Sequence, residues 1–204
     1  LEQRVEGRTN SIARHFDRVC EVLAELGYLT SAGDDAKVTV EGQLLMRLYT
    51  EADLLTALCL QQGTWESLSA PELAAVCSTL LFESRSNEDD APKVPHGAIR
   101  DALDVMNDMW FDIHGIEARH KVNATKSLDS GFVWAIYRWC QGNSLYSVLS
   151  REEFTAGDFV RWSRQVIDLL GQIAQAVPVD NELRTTALAA ADLATDRQRP
   201  GGHG

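Results

Sequence analysis

The sequence predicts an all-α chain, a helical bundle with one short β-hairpin near its N-terminus. Three observations carry that prediction. Apolar residues recur every three to four positions through most of the 204 residues. Strand-type runs pair up in one place only, between Tyr28 and Val40. No proline occurs between Pro95 and Pro178, so nothing in that stretch forbids long helices.

Ile12, Phe16, Val19, Leu23 and Leu26 share one helical face, and Gly27 stands where a C-terminal cap would end the run. Tyr28-Leu29-Thr30 and Lys37-Val38-Thr39-Val40 flank a five-residue turn, Ser31 to Asp35, and read as a hairpin. A helix followed by two short strands matches the end of a winged-helix module. A small hairpin clipped onto a helical domain matches equally well. After Gly42 the chain is helical again, with Thr50 and Asp53 in capping-box spacing ahead of Leu54, Leu55 and Leu58. Ser69, Pro71 and Glu72 form a fuller start signal, followed by a stripe of Leu73, Val76, Cys77, Leu80 and Leu81. Residues 84–95 are acidic and punctuated by proline, and read as a surface loop and an internal boundary. Three more helices fit before Pro178. The first runs from about Ala98 to Val122, with Ile99, Leu103, Met106, Trp110 and Ile113 inward. The second spans Gly131 to Cys140, with Phe132, Val133, Ile136 and Tyr137. The third follows Thr155 and reaches about Val177. An alanine-rich helix follows Asp180 and ends before Arg199-Pro200-Gly201-Gly202.

Composition narrows the function. Thirty acidic residues against 19 basic ones give a net charge of −11, which argues against a generic nucleic-acid binder. A local contact with RNA or DNA remains compatible with that balance. With 45% hydrophobic residues the chain can bury roughly 70% of its unfolded surface without disulfides or metals. No apolar run is long enough for a membrane span, and no signal peptide opens the sequence. Residue 1 is Leu and the opening reads as mid-domain sequence, so the chain reads as a fragment. Cys20, Cys59, Cys77 and Cys140 are widely spaced in apolar helical stretches, as buried reduced thiols of a cytoplasmic protein would be.

Catalytic motifs are missing. There is no G-x-x-x-x-G-K-[ST] loop, G-x-G-x-x-G turn, H-E-x-x-H helix or G-x-S-x-G elbow. Gly7-Arg8-Thr9-Asn10 lacks the lysine that would reach a phosphate, so this chain alone is not expected to hydrolyse ATP. His114, Glu117 and His120 are the best metal candidates. On a helix they spread over about 120° and ~9 Å, which does not close on one ion. They read as a solvated polar face. Glu152 and Glu153 precede a helix start and read as acids favoured by the helix dipole.

The third helix of the second half is the most informative element. Val166, Leu169, Leu170, Ile173 and Val177 form its apolar stripe. Arg161, Gln165, Asp168, Gln172 and Gln175 form a narrow polar one. Such a stripe is either a solvated face or a rail of hydrogen-bonding groups for a single strand. Periodicity alone favours the solvated face.

From near Phe16 to about Leu193 the chain resembles the DSHCT domain, the C-terminal helical domain of superfamily-two DExH RNA helicases of the superkiller and exosome-cofactor type. The resemblance rests on Leu23-Ala24-Glu25-Leu26-Gly27-Tyr28-Leu29, Val40-Glu41-Gly42 and Glu51-Ala52-Asp53-Leu54-Leu55. It continues in Leu73-Ala74-Ala75-Val76-Cys77-Ser78, Phe82-Glu83, Ala135-Ile136-Tyr137-Arg138-Trp139-Cys140-Gln141-Gly142 and Ala156-Gly157-Asp158-Phe159-Val160-Arg161. Each is weak alone; their order and spacing together are specific.

The resemblance implies an ATP-dependent RNA helicase whose RecA-like motor domains, with their ATP and Mg²⁺ sites, lie upstream of Leu1. No cofactor is implied in this chain. Residues 1–41 would be the trailing part of a winged helix, 42–196 the DSHCT-like domain, and 197–204 a disordered tail. The helix at 156–177 would match the family's ratchet helix, which lies along the RNA path. RNA contact is thereby implied for Arg161, Gln165, Asp168 and Gln172. Arg161 is shared with the family pattern; Gln165 stands where some eukaryotic members have Arg, and Asp168 where they have Glu. Gln165 lacks a charged fork but keeps an amide for a base or sugar. These choices resemble a bacterial branch, with an actinobacterial one among the options, more than a eukaryotic one. The polar segment from Ala194 to Gly202 departs from the family's apolar continuation.

Three functional expectations follow, in this order. The first is a noncatalytic accessory domain that contacts single-stranded RNA, with DNA as the alternative strand, and packs on the motor domains of the same protein. The second is a protein-interaction or scaffolding domain with an acidic docking surface. The third is a winged-helix DNA regulator, which would need a basic recognition helix that the sequence lacks. No membrane partner is expected.

Overall fold

The computed structural model describes residues 2–50, 52–84, 93–150 and 154–196. The middle of the acidic 84–95 segment, the Glu152-Glu153 pair and the tail from 197 onward lie outside the described residues. The described residues form nine α-helices: α1 (Glu2–Glu25), α2 (Val40–Leu45), α3 (Asp53–Gln61), α4 (Ala70–Ser78), α5 (Ala98–Arg119), α6 (Val133–Cys140), α7 (Leu145–Leu149), α8 (Ala156–Ala176) and α9 (Glu182–Asp196). A 3-10 turn at Ser130–Phe132 leads into α6. No helix among the described residues is long and apolar enough to cross a membrane.

The helical prediction holds and the hairpin does not. Among the described residues Leu29 and Val38 make a single antiparallel bridge, and no strand forms around it. The reason lies in the flanking caps. Helix α1 ends in a Schellman turn, with Tyr28 N–H donating to Leu23 O at 2.8 Å and Gly27 at φ 81°. Tyr28 N–H is therefore unavailable to a ladder. On the other side Thr39 is the N-cap of α2, so Val40 is already helical. With both ends committed to helices, a winged-helix remnant with two real strands is not what these residues build. Tyr28, Leu48, Ala57 and Ala176 instead share a buried cluster that ties this corner to α3 and the end of α8.

Helix α4 is the centre of the bundle. It packs against α5, α6, α8 and α9. Leu73 through Ser78 are all buried, so the helix is enclosed on every side rather than along the predicted stripe. Small residues at 74 and 75 permit that enclosure. The Ser69 cap forms as expected, with Ser69 N–H and Oγ donating to Glu72 Oε2 at 2.8 and 2.6 Å. The Thr50–Asp53 box does not form. Ala52 is the N-cap of α3, and Asp53 Oδ1 accepts from the adjacent Leu54 N–H.

Leu183, Ala187, Ala190 and Ala194 bury the inner face of α9, which packs along α8. Two arginines cover carbonyls at the end of α8: Arg184 Nη1 donates to Ala174 O at 2.6 Å and Arg47 Nη1 to Ala176 O at 3.4 Å. The rings of Phe82, Phe132, Phe154, Phe159 and Trp162 form a contiguous cluster at the other end. Cys59, Cys77 and Cys140 are buried, and Cys20 is half-buried. Burial pushes the Cys59 thiol up to about 12 and raises Cys77 further, so neither is a nucleophile near neutral pH.

Among the described side chains, Glu21, Leu23 and Glu25 tie α1 to the bundle. Ile12 and Phe16, predicted to face inward, are 71% and 66% exposed. The junction with α5 is ionic. His120 Nδ1 lies 2.9 Å from Glu21 Oε2, its Nε2 2.7 Å from Glu25 Oε2, and Arg119 pairs with Glu25. Hydrogen bonding to Glu25, and then to Glu21, holds the His120 pKa above its ordinary 6.5. Hydrogen bonding to His120, and then to Arg119, holds the Glu25 carboxyl below 4.5. The histidine contribution is complete below pH 6.5 and is lost as pH rises through its raised pKa. The Glu25 contribution is complete above pH 4.5 and is lost as pH falls through its lowered one. At low salt, the thermal midpoint is expected to fall between pH 6 and pH 8 by more in the native chain than in His120→Gln. An equal fall in both would show that this junction contributes nothing.

Candidate nucleic-acid interface

Helix α8 is 21 residues long, about 31 Å. Thr155 and Asp158 start it with a reciprocal capping box, Thr155 Oγ1 accepting from Asp158 N–H at 3.2 Å and Asp158 Oδ2 accepting from Thr155 N–H at 3.2 Å. Val166, Leu169, Leu170, Ile173 and Val177 are buried, as the apolar stripe predicts, and Phe159 is buried with them. Arg161, Gln165, Asp168 and Gln175 are exposed and Gln172 is half-buried.

The polar stripe splits into parts that do different things. Gln165, Asp168 and Gln172 line one wall of a cleft of about 800 Å³. Arg161 lies outside that lining, one turn nearer the helix start. Its guanidinium carbon sits 4.6 Å from the centre of the Trp162 ring, and Nη2 is 3.8 Å from Asp158 Oδ1. Its side chain is half-exposed and only loosely held. Gln175 is not part of the cleft lining. Gln172 is already engaged: its Oε1 accepts from Tyr49 N–H at 2.7 Å. That leaves its amide hydrogens for a ligand.

The rest of the cleft comes from segments far apart in the chain. Tyr49 and Thr50 form its lip, Leu80 to Glu83 follow from the end of α4, and Trp110 projects from α5. The 123–129 connection closes the far side. Two anchors hold that connection. Trp110 Nε1 donates to Thr125 O at 3.2 Å. Glu117, fully buried, accepts from Thr125 Oγ1 at 2.7 Å and from the N–H groups of Thr125 and Ala124 at 3.2 Å.

This corrects the reading of His114, Glu117 and His120 as a solvated face. Glu117 is an internal anchor, His120 bridges to α1, and His114 stacks on Trp110 with ring centroids 4.9 Å apart. The three perform separate structural tasks. Among the described residues no group of three His, Cys, Asp or Glu is placed to hold a metal ion.

Sequence reading missed Tyr49, Trp110, Asn123 and Lys126 as cleft residues. Trp110 was placed inward by its period, but the others sit in irregular segments where no period operates. Charge at the cleft is mixed and net acidic: Glu83, Asp129 and Asp168 against Lys126. Lys126 Nζ lies 3.6 Å from Glu83 Oε2.

Comparison with known proteins bears on this helix and its cleft. A family model described as the DSHCT (NUC185) domain matches residues 35–195, thus including α8 and every segment of the cleft but starting later than Phe16. Proteins named "Probable helicase HelY" from Mycobacterium leprae and Mycobacterium tuberculosis are each 40% identical to this chain, over 200 and 198 residues. Both alignments cover 92% of this chain, and 21% and 22% of those proteins. The "DExH-box ATP-dependent RNA helicase DExH15 chloroplastic" of Arabidopsis thaliana is 26% identical over 156 residues, covering 74% of this chain and 13% of that one. The chain thus spans about a fifth of the length of its mycobacterial relatives. Those bacterial relatives agree with the branch that Gln165 and Asp168 suggest. By the family match over most of its length, this chain belongs to the DSHCT (NUC185) domain family.

Proposed function

We propose that this chain is the accessory, noncatalytic domain of an ATP-dependent RNA helicase of the cytoplasm. In this reading it contacts single-stranded RNA along α8 and packs on the motor domains of the same protein, which bind ATP and Mg²⁺. The observation that carries it is the placement of Arg161, Gln165, Asp168 and Gln172. They leave the helix on one side, three of them open into a cleft, and the opposite side is locked into the core. A solvated face is also backed by the core; the cleft that three of these residues line is what sets this one apart. Membership of a family with helicase relatives supports the same reading.

Arg161 is the residue suited to a phosphate, being half-exposed and cationic. Arg161→Glu is expected to weaken binding of labelled single-stranded RNA about tenfold at low salt, and to reduce the salt slope by about 0.7. Fluorescence anisotropy at two salt concentrations measures both. Native-like affinity in a folded Arg161→Glu variant would remove α8 from the strand path.

A second reading, a protein-docking domain without RNA contact, is favoured by one feature. Ile12 and Phe16 stand exposed on α1, and Val105 and Phe111 stand exposed on α5 among Asp101, Asp104, Asp108 and Asp112. Binding of a separately expressed motor fragment, with no RNA binding by the chain, would select that reading.

A further inference from the structure

The cleft beside α8 has a chemistry that the contact with a strand does not by itself explain. Its three carboxylates outnumber its single lysine, and that lysine faces Glu83. A phosphate entering it would meet net negative charge in a partly enclosed space, where like charges repel more strongly than in water. Asp129 is also occupied internally, Oδ1 accepting from Gly131 N–H at 2.9 Å and Oδ2 from Ser84 N–H at 2.7 Å. The remaining lining offers amide groups at Asn123 and Gln165 and aromatic surface at Trp110 and Tyr49. Those groups suit a flat, uncharged ring with donors and acceptors on its edge.

Tyr49 is the informative residue. The residue is 83% exposed, so it adds little to the core. Yet its backbone is anchored on the N-terminal side. Leu48 before it is buried, and its own N–H is held by Gln172 across 123 residues of sequence. An exposed aromatic ring on an anchored backbone at the lip of an amide-lined cleft is arranged to stack on something that enters.

We infer that the cleft is a nucleobase pocket: one base of a single strand turns in, stacks on Tyr49, and presents its edge to Gln165 and Asn123, while the phosphates stay outside near Arg161. Asp168 accepts from an exocyclic amine of that base, and Gln172 is a positioning residue that holds Tyr49 in place. This rests on the reading of α8 as a strand-contacting helix and adds which part of the strand it grips.

The test titrates the chain into two labelled probes, a single-stranded RNA of mixed sequence and a ribose-phosphate strand of equal length without bases. Tyr49→Ala is expected to weaken RNA binding about tenfold with no change in salt slope, since stacking is uncharged. Tyr49→Phe retains native affinity, and the strand without bases binds the native chain and Tyr49→Ala equally. Because the ring is exposed, both variants keep the native circular dichroism. Native RNA affinity in Tyr49→Ala, or equal loss on both probes, overturns the base pocket. If Arg161→Glu then still weakens binding, the strand-contacting role stands without the pocket. Failure of the native chain to bind either probe overturns both.

Discussion

Glu117→Ala lowers the stability of this domain by about 3–4 kcal/mol, measured as a shift in the urea midpoint at constant slope. Glu117 is completely buried, and three donors converge on its carboxyl group: Thr125 Oγ1, Thr125 N–H and Ala124 N–H. Truncation leaves the two Thr125 donors buried without a partner, and each unsatisfied one costs about 1–3 kcal/mol before relaxation, while the Ala124 N–H lies nearer solvent. The lost side-chain volume adds a cavity term. Relaxation would follow movement of the 123–125 segment, whose Asn123 and Ala124 are exposed at the cleft. The proposed RNA binding should therefore fall with stability, although Glu117 does not line the cleft. Thr125→Val removes one of the three donors while keeping the shape, and should cost much less. Equal midpoints for native chain and Glu117→Ala would mean that the carboxyl group does not anchor the cleft wall.

Gly42→Ala comes next, at about 2–3 kcal/mol. A β-carbon at position 42 would lie 2.3 Å from Tyr28 O and 2.7 Å from Val38 Cγ1. The first of these is backbone and is already held, since Tyr28 O accepts from Thr39 N–H at 3.1 Å. Thr39 is bound in turn, its hydroxyl donating to Gly27 O at 2.7 Å and accepting from Gly42 N–H at 3.0 Å. No single side chain can rotate away to admit a methyl group. Helix α2 must lift from the end of α1, disturbing the buried cluster around Tyr28 and Leu48. A native thermal midpoint in Gly42→Ala would show that α2 has slack which the packing does not reveal. Gly33, with open space around its β-carbon direction, is the matched control.

Much of the fold was legible because helices announce themselves locally. The apolar period placed α5, α6 and α8 within a few residues. The Ser69-Pro71-Glu72 signal marked the start of α4, and Gly27 marked the end of α1. Errors arose where a residue had two local uses and tertiary contacts chose between them. Thr39 and Val40 have strand propensity, but Thr39 was drawn into capping α2 on the carbonyl of Gly27. Thr50 and Asp53 had capping-box spacing, but Ala52 took the cap position. Ile12 and Phe16 have a core-like period, yet the bundle supplies no surface for them.

The candidate site was legible in half. Arg161, Gln165, Asp168 and Gln172 share a stripe because helical geometry alone puts them there, whatever surrounds the helix. Residues 49, 110 and 123–129 meet that stripe only through the packing of α3, α4 and α5. The sequence by itself therefore determined the helices, their buried faces and the polar line along α8, all of which depend on neighbours within a few positions. Only the tertiary structure decided that Glu117 is an internal anchor, that Gln172 holds Tyr49, and that the polar line borders a cleft. Those outcomes depend on groups separated by up to 123 residues, and no local period encodes which of them will meet.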